Sequence, residues 1–466
     1  MRVLLSWLIV IAALLVPWAS AQSNSPAAQW ESKRLKLQIE QSQRHLEYGM
    51  ELRKQGLTIQ AAAEIIRAAE LGKGRHPGAT TVLSIMRQYD AAFWNRYGSR
   101  ASPAKVEMYD KKARGFAATE EKEILDLANW ANSKKLEDEA QEVYLEILLR
   151  RDEALDFDAK DQIVLPAGTI PKDASARIKA GAIAINGRWY VRDELLAKLP
   201  ELKEVFEVSS PELRVRTTTT EEQARELHNM CVSLLPALAL DMGASPQRRL
   251  SLLVFGKRAE YEMTCDALGF GGHRVVTGLA SSSPFVALVC AEETPVEVLN
   301  AVCLHELTHL FCFAVSHSVF PHWYNEGFAE TFGGADTFRW DGTKLTVAGM
   351  FARERIDALK LEGGTLPLAQ MFATDPLTLW TRSKDAGLAF YAQAWAFVRY
   401  LRTGAGAEIA TRFDQWEARC LGQAMGFELG AKRSTQSGPA GDLFLELFGK
   451  DLPKLELGFQ AWLREL

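Results

Sequence analysis

The fold turns on one stretch, His305-Glu306-Leu307-Thr308-His309, and on Glu326, separated from it by sixteen residues within Trp323-Tyr324-Asn325-Glu326-Gly327. Two histidines four apart on a helix differ by about 40° around its axis and about 6 Å along it. Their rings can therefore converge on one metal ion. Glu306 lies about 100° round from His305, beside the metal rather than on it, where a base takes a proton from water. Glu326 is the expected third ligand. Two neutral imidazoles and one carboxylate would leave a zinc ion, Zn2+, with net positive charge and an open fourth position.

The surroundings favour that reading. The helix expected over 295–316 is apolar nearly all round (Val296, Leu299, Val302, Cys303, Leu307, Leu310, Phe311, Phe313), so it is a buried helix. Burying two histidines and a glutamate costs several kcal/mol unless each is satisfied, and a metal satisfies all three. Thr294-Pro295-Val296-Glu297 reads as N-cap, first-turn proline and capping-box glutamate. Glu326 follows a loop marked by Pro321 and opens a short helix that Gly333-Gly334 should stop. Glu330, one turn beyond Glu326, is either a hydrogen-bond partner behind a ligand histidine or a solvated helix glutamate. His317 and His322 read as non-ligands and His273 as a turn residue.

Working outward, strands and helices alternate from about residue 200. Strands are expected at 202–208, 213–218, 250–255, 275–278 and 284–290. Thr220 with Gln223 caps a helix reaching Met242. Strands followed by a metal-bearing helix make an α+β domain over 201–466, mostly helical after Phe351. The strand 284–290 is the expected sheet edge for an extended substrate.

Residues 22–180 read as a helical domain. Leu46, Leu57, Ala61 and Ile65 recur 79 residues later as Leu125, Leu136, Ala140 and Tyr144, each set reading as helix, short turn, helix. That resembles tetratricopeptide-type (TPR-like) hairpins, which offer either a scaffold or a surface for a protein partner. Asn186-Gly187 is a two-residue hairpin signal inside a linker over 181–200. Residues 1–21 have the form of a signal peptide: Arg2, an apolar run to Val16, then Ala19-Ser20-Ala21. Export to the periplasm or beyond is implied, and the run is short for a stable membrane span. Over 466 residues, 47% hydrophobic and 24% charged content is ordinary for globular domains, and a net charge of −5 argues against nucleic acid as an obligate partner. Six scattered cysteines make no disulfide framework; Cys265 with Cys290 is the candidate single bridge, while Cys303 and Cys312 read as small buried side chains.

His-Glu-x-x-His followed by Asn325-Glu326-Gly327-Phe328-Ala329-Glu330 resembles the gluzincin clan of zinc metallopeptidases, and is similar to exported bacterial gluzincin-like proteins. Similarity runs from about 200 to 466. It implies a zincin-like catalytic domain acting on a peptide or protein, ligands at His305, His309 and Glu326, a base at Glu306 and a supporting acid at Glu330. The clan places a tyrosine or histidine near the oxyanion. Tyr391 suits that role, or is a core tyrosine. The competing reading is a non-catalytic scaffold whose zinc domain is structural or inactive. No element holding a free amino terminus is recognisable, which argues against aminopeptidase action.

Overall fold

The computed structural model describes residues 25–72, 102–151, 154–185, 188–191, 205–242, 248–316, 320–334, 336–347, 353–359, 365–424 and 438–466, with positions 76, 78, 79 and 246. The expected signal peptide, His317 and the Asn186-Gly187 pair lie outside the described residues.

The N-terminal region is built from two helical hairpins: α1 (Pro26–Lys54) with α2 (Thr58–Gly72), and α3 (Pro103–Ser133) with α4 (Glu137–Arg151). Their turns are superposable in chemistry as well as in spacing. Gly56 and Lys135 both adopt positive φ (77° and 64°). Leu57 N donates to Leu52 O and Leu136 N to Ala131 O, at 3.0 and 3.1 Å. The left-handed residue lets each chain reverse while its helix-end carbonyls stay bonded. The 79-residue repeat is therefore a repeat of structure. The region is mostly helical, as expected, with one element the sequence did not single out: an antiparallel hairpin, β1 (Ile163–Leu165) with β2 (Gly168–Ile170), precedes α5 (Lys172–Ala180). Ile163 and Leu165 point into the core while Val164 points out, a period-two pattern too short to stand out in a helical region.

Strands β3 (Ile183–Ile185) and β4 (Arg188–Tyr190) pair antiparallel with Ile185 opposite Arg188, as a two-residue connection requires. Beyond them comes an α+β domain around a five-stranded mixed sheet. Its strands are β5 (Phe206–Ser209), β6 (Leu213–Thr217), β7 (Leu250–Phe255), β8 (Gly278–Ser282) and β9 (Phe285–Cys290), in the order β5-β6-β7-β9-β8. Both faces are covered, so β7 and β9 are apolar but for Ser251, while β6 alternates Leu213 and Val215 with buried Arg214 and Arg216, which pair with Glu207 of β5. Leu250, Leu252 and Val254 join one core with Ala287 and Val289, while Leu253 and Phe255 join the other with Leu288 and Cys290. The first core lies under α6 (Glu221–Met242) and α8 (Val296–Ser316), the second under α7 (Arg258–Ala267). Thr220 caps α6, its Oγ1 accepting from Gln223 N at 3.1 Å.

Two strand expectations fail. Residues 275–277 form a turn and bend, and the strand begins at Gly278. The edge beside α8 is β8, because β9 is paired on both sides, parallel to β7 and antiparallel to β8. A hairpin folding back between β9 and solvent is invisible to strand propensity. Thr294 also differs from expectation: its hydroxyl donates to Cys290 O and Glu292 O instead of capping α8. All six cysteines are free and buried, so the Cys265–Cys290 bridge does not form; these two side chains fill the second core instead.

After α9 (His322–Gly333) and the hairpin β10 (Phe338–Trp340)–β11 (Leu345–Val347) the described chain is helical: α10 (Arg353–Ala358), α11 (Leu368–Ala373), α12 (Pro376–Arg382), α13 (Lys384–Arg399), α14 (Ala407–Ala424), α15 (Gly438–Phe448) and α16 (Leu452–Leu463). A π-helical turn, Tyr400–Gly404, follows α13. There Arg402 Nη2 meets Asp241 of α6 at 3.1 Å and Glu417 of α14 at 2.6 Å, and the Tyr324 hydroxyl of α9 donates to the same Glu417 carboxylate at 2.6 Å.

Candidate metal centre

Helix α8 is long and apolar enough to cross a membrane, yet it runs through the protein interior, with Leu304, Leu307, Leu310 and Phe311 fully buried. Into this setting it brings His305, Glu306 and His309, each no more than 9% exposed. Helix α9 crosses it at Gly333, where a Cβ would fall 2.4 Å from His305 N. This closeness delivers Glu326 to the histidines. Its helix opens at His322, one turn earlier than expected from sequence, so Glu326 is an interior position; His322 itself is exposed. Gly327 does the same on the opposite side, where a Cβ would stand 2.4 Å from Ala394 O of α13. Helix α13 thereby comes near enough for the Tyr391 ring to lie 5.9 Å from the His305 ring.

Three ligand atoms converge. His305 Nε2 and His309 Nε2 are 3.0 Å apart, and Glu326 Oε2 is 3.3 and 3.2 Å from them. Zinc–nitrogen and zinc–oxygen bonds of about 2.0–2.1 Å in a tetrahedron separate neighbouring ligands by about 3.3–3.4 Å. The triangle fits. A second observation agrees: Glu326 Oε2 is buried, with no hydrogen-bond donor of good geometry among the described residues. A carboxylate oxygen in that position is costly without a cation.

Behind the triangle, His305 Nδ1 lies 3.2 Å from Glu330 Oε1, and Glu330 Oε2 accepts from Arg355 Nε of α10 at 2.6 Å. A proton on Nδ1 leaves the Nε2 lone pair facing the triangle. Glu330 thus stands behind His305, and the solvated alternative is excluded by its 2% exposure. Burial alone would push the Glu330 carboxyl up, but Arg355 and His305 outweigh it and hold the group down at about 2. Burial would likewise lower His305, yet Glu326 and Glu330 raise it to about 10. The carboxylates of Glu326 and Glu330 outnumber the one guanidinium of Arg355, so the site favours positive charge, which a divalent ion would supply. His309 Nδ1 is buried without a hydrogen bond among the described residues, its ring stacked on Phe313.

Glu306 is outside the triangle, as its helical angle requires. Its Oε1 lies 2.8 Å from where a Cβ on Gly278 of β8 would stand. Burial, ahead of the opposing pull of His305 and His309, pushes its carboxyl up. Burial and the carboxylates of Glu326, Glu306 and Glu330 push the Tyr391 phenol well up, so it stays a neutral O–H donor. All six residues expected from the sequence meet at one place. Sequence reasoning missed Arg355 and the close-approach glycines 278, 327 and 333. Arg355 is 25 positions from its partner with a hairpin between, and no local pattern links them. Compared with protein-family models and with curated proteins, the chain finds no match.

Proposed function

We propose that this chain is an exported zinc-dependent metallopeptidase, its sheet with α8 and α9 forming a zincin-like catalytic domain. In this reading the TPR-like helical hairpins are a scaffold that also offers a protein partner a surface. The observation that carries the proposal is the His305–His309–Glu326 triangle with Glu306 left free beside an open sheet edge. A purely structural metal site needs no such base.

Zinc, when bound by His305, His309 and Glu326, supplies the Lewis acidity that brings a water's pKa toward neutrality. The chain's own groups do the rest. Cys290 N donates to Thr277 O at 2.8 Å, so pairing alternates from there: Leu279 and Ser281 bond to β9, while Gly278, Ala280 and Ser282 turn their N–H and C=O groups to the open edge. An extended peptide adding to that edge passes Glu306 at Gly278. Glu306 takes a proton from the attacking water and returns it to the leaving amine as the C–N bond breaks. The Tyr391 hydroxyl donates to the developing oxyanion.

The test is Glu306→Gln, assayed on a denatured protein substrate with zinc content measured in parallel. Zinc stays bound and hydrolysis falls by about 10²- to 10⁴-fold. Hydrolysis surviving at the wild-type rate with zinc in place overturns the mechanism.

A further inference from the structure

Helices α12 and α13 meet at a corner that one residue makes. Ser383 N donates to Leu379 O at 2.9 Å, closing α12, and Ser383 Oγ accepts from Ala386 N at 3.4 Å, opening α13. Trp380 stands just before that corner and Gly387 one turn after it, so the corner folds the indole back over the glycine. A Cβ at 387 would stand 2.7 to 2.9 Å from the indole carbons Cγ, Cδ2 and Cε2. Only a residue without a side chain lets the ring sit there. Tyr391 lies a further turn along the same face of α13. The indole therefore reaches the phenol as well, with ring centres 5.9 Å apart and planes at 63°.

This contact sets a polar group beside the metal centre, because the Tyr391 ring itself lies 5.9 Å from the His305 ring. The indole Nε1 is buried and, among the described residues, has no acceptor of good geometry. A buried indole N–H ordinarily finds a partner, and an unmet one is costly. The oxygen that feels this N–H is the Tyr391 phenol's. Burial and the carboxylates of Glu326, Glu306 and Glu330 push that phenol well up, while the Trp380 N–H pulls the other way.

We propose that Trp380 is a positioning residue for the Tyr391 hydroxyl: its indole N–H donates to the phenol oxygen, so that the phenol's own proton is left to face the metal centre. This rests on the peptidase reading for what that proton meets, the oxygen of the attacked carbonyl. A hydroxyl accepts from one neighbour while donating to another, and accepting makes it the stronger donor. Trp380 itself touches no substrate. It fixes the direction in which Tyr391 gives its hydrogen bond, and a preset direction needs no reorganisation as negative charge develops.

The pair is tested first without catalysis. In the full chain carrying isotope-labelled tryptophan, read by nitrogen–proton correlation NMR, the indole resonance missing from Trp380→Phe is that of Trp380. In Tyr391→Phe it moves upfield further than any other indole signal. The kinetic arm uses a denatured protein substrate, with zinc content checked in each variant. Trp380→Phe lowers kcat by about 3- to 10-fold with KM and zinc unchanged, and in a Tyr391→Phe background it lowers kcat no further. Gly387→Ala, which lifts the indole without altering it, reproduces both results. An indole resonance indifferent to Tyr391→Phe overturns the proposal, and so does an equal loss of kcat with and without the Tyr391 hydroxyl. A displaced resonance in zinc-loaded protein that cleaves no peptide leaves the pair standing and overturns the peptidase reading instead.

Discussion

Gly333→Ala is the sharpest probe of how the centre is held. A Cβ at 333 would lie 2.4 Å from His305 N, 2.5 Å from its Cα and 2.6 Å from its Cβ. Two of these three atoms belong to the backbone of α8, where no rotamer change relieves them. Ordinary contact begins at 3.4 Å, so α9 must retreat by 3.4 − 2.4 = 1.0 Å. Glu326 is on the same rigid helix and retreats with it, stretching the 3.3 Å gap to His305 Nε2 to about 4.3 Å, against the roughly 3.3–3.4 Å a shared zinc ion demands. Overpacking of this kind costs about 1–3 kcal/mol. Spent between two ligand-bearing helices, that weakens zinc binding roughly 5- to 150-fold and lowers Tm by about 2–4 °C per kcal/mol. Competition against a chelator of known affinity reads the first, and calorimetry of the zinc-free protein the second. Wild-type zinc affinity in Gly333→Ala refutes the argument that this crossing sets the ligand spacing.

Other outcomes follow from the same geometry. Glu326→Ala removes a ligand and abolishes stoichiometric zinc; unchanged metal content by elemental analysis removes Glu326 from the set. Glu330→Gln and Arg355→Met each weaken zinc by about 10- to 100-fold, and because Arg355 acts through Glu330 the double variant is no weaker than Glu330→Gln alone; additive losses in a chelator titration sever the link. Tyr391→Phe keeps zinc and lowers kcat by about 10²-fold, and a loss seen only in KM assigns the hydroxyl to binding. In the helical region, burial would lower His45, but hydrogen bonds with Glu120 and Glu64 raise it to about 9. Its folded-state pKa exceeds the ordinary 6.5, so the stabilisation, on the order of a few kcal/mol, is complete below pH 6.5 and lost as pH rises through about 9. Melts of wild type and His45→Gln should converge on that rise; a pH-independent gap contradicts it.

Helix α8 was legible because its information is local. The four-residue spacing of His305 and His309, the apolar positions around them and the lone Glu306 between them fix a face, and a face is what a helix presents. Glu326 and Glu330 were legible for the same reason once Pro321 and Gly333 bracketed their helix. Thr294 misled because a hydroxyl before an N-terminal proline is equally able to bond the preceding strand. The edge strand was misplaced because hydrophobicity marks β9 as buried without revealing which neighbour covers it. Arg355 and the glycines act through contacts between distant segments, and a glycine that admits a helix looks in sequence like one that ends it.

The cluster at the π-helical turn bears on how small this protein can be made. Arg402 holds one carboxylate from before α8 and α9 and one from after them, and Tyr324, two positions from Glu326, shares the second. Trimming the C-terminus ahead of Glu417 would strip Arg402 of one of its two carboxylates and the Tyr324 hydroxyl of its acceptor in a dry interior. Anyone paring the chain toward a minimal unit should expect the metal to be lost with that tail, long before the cut reaches a ligand.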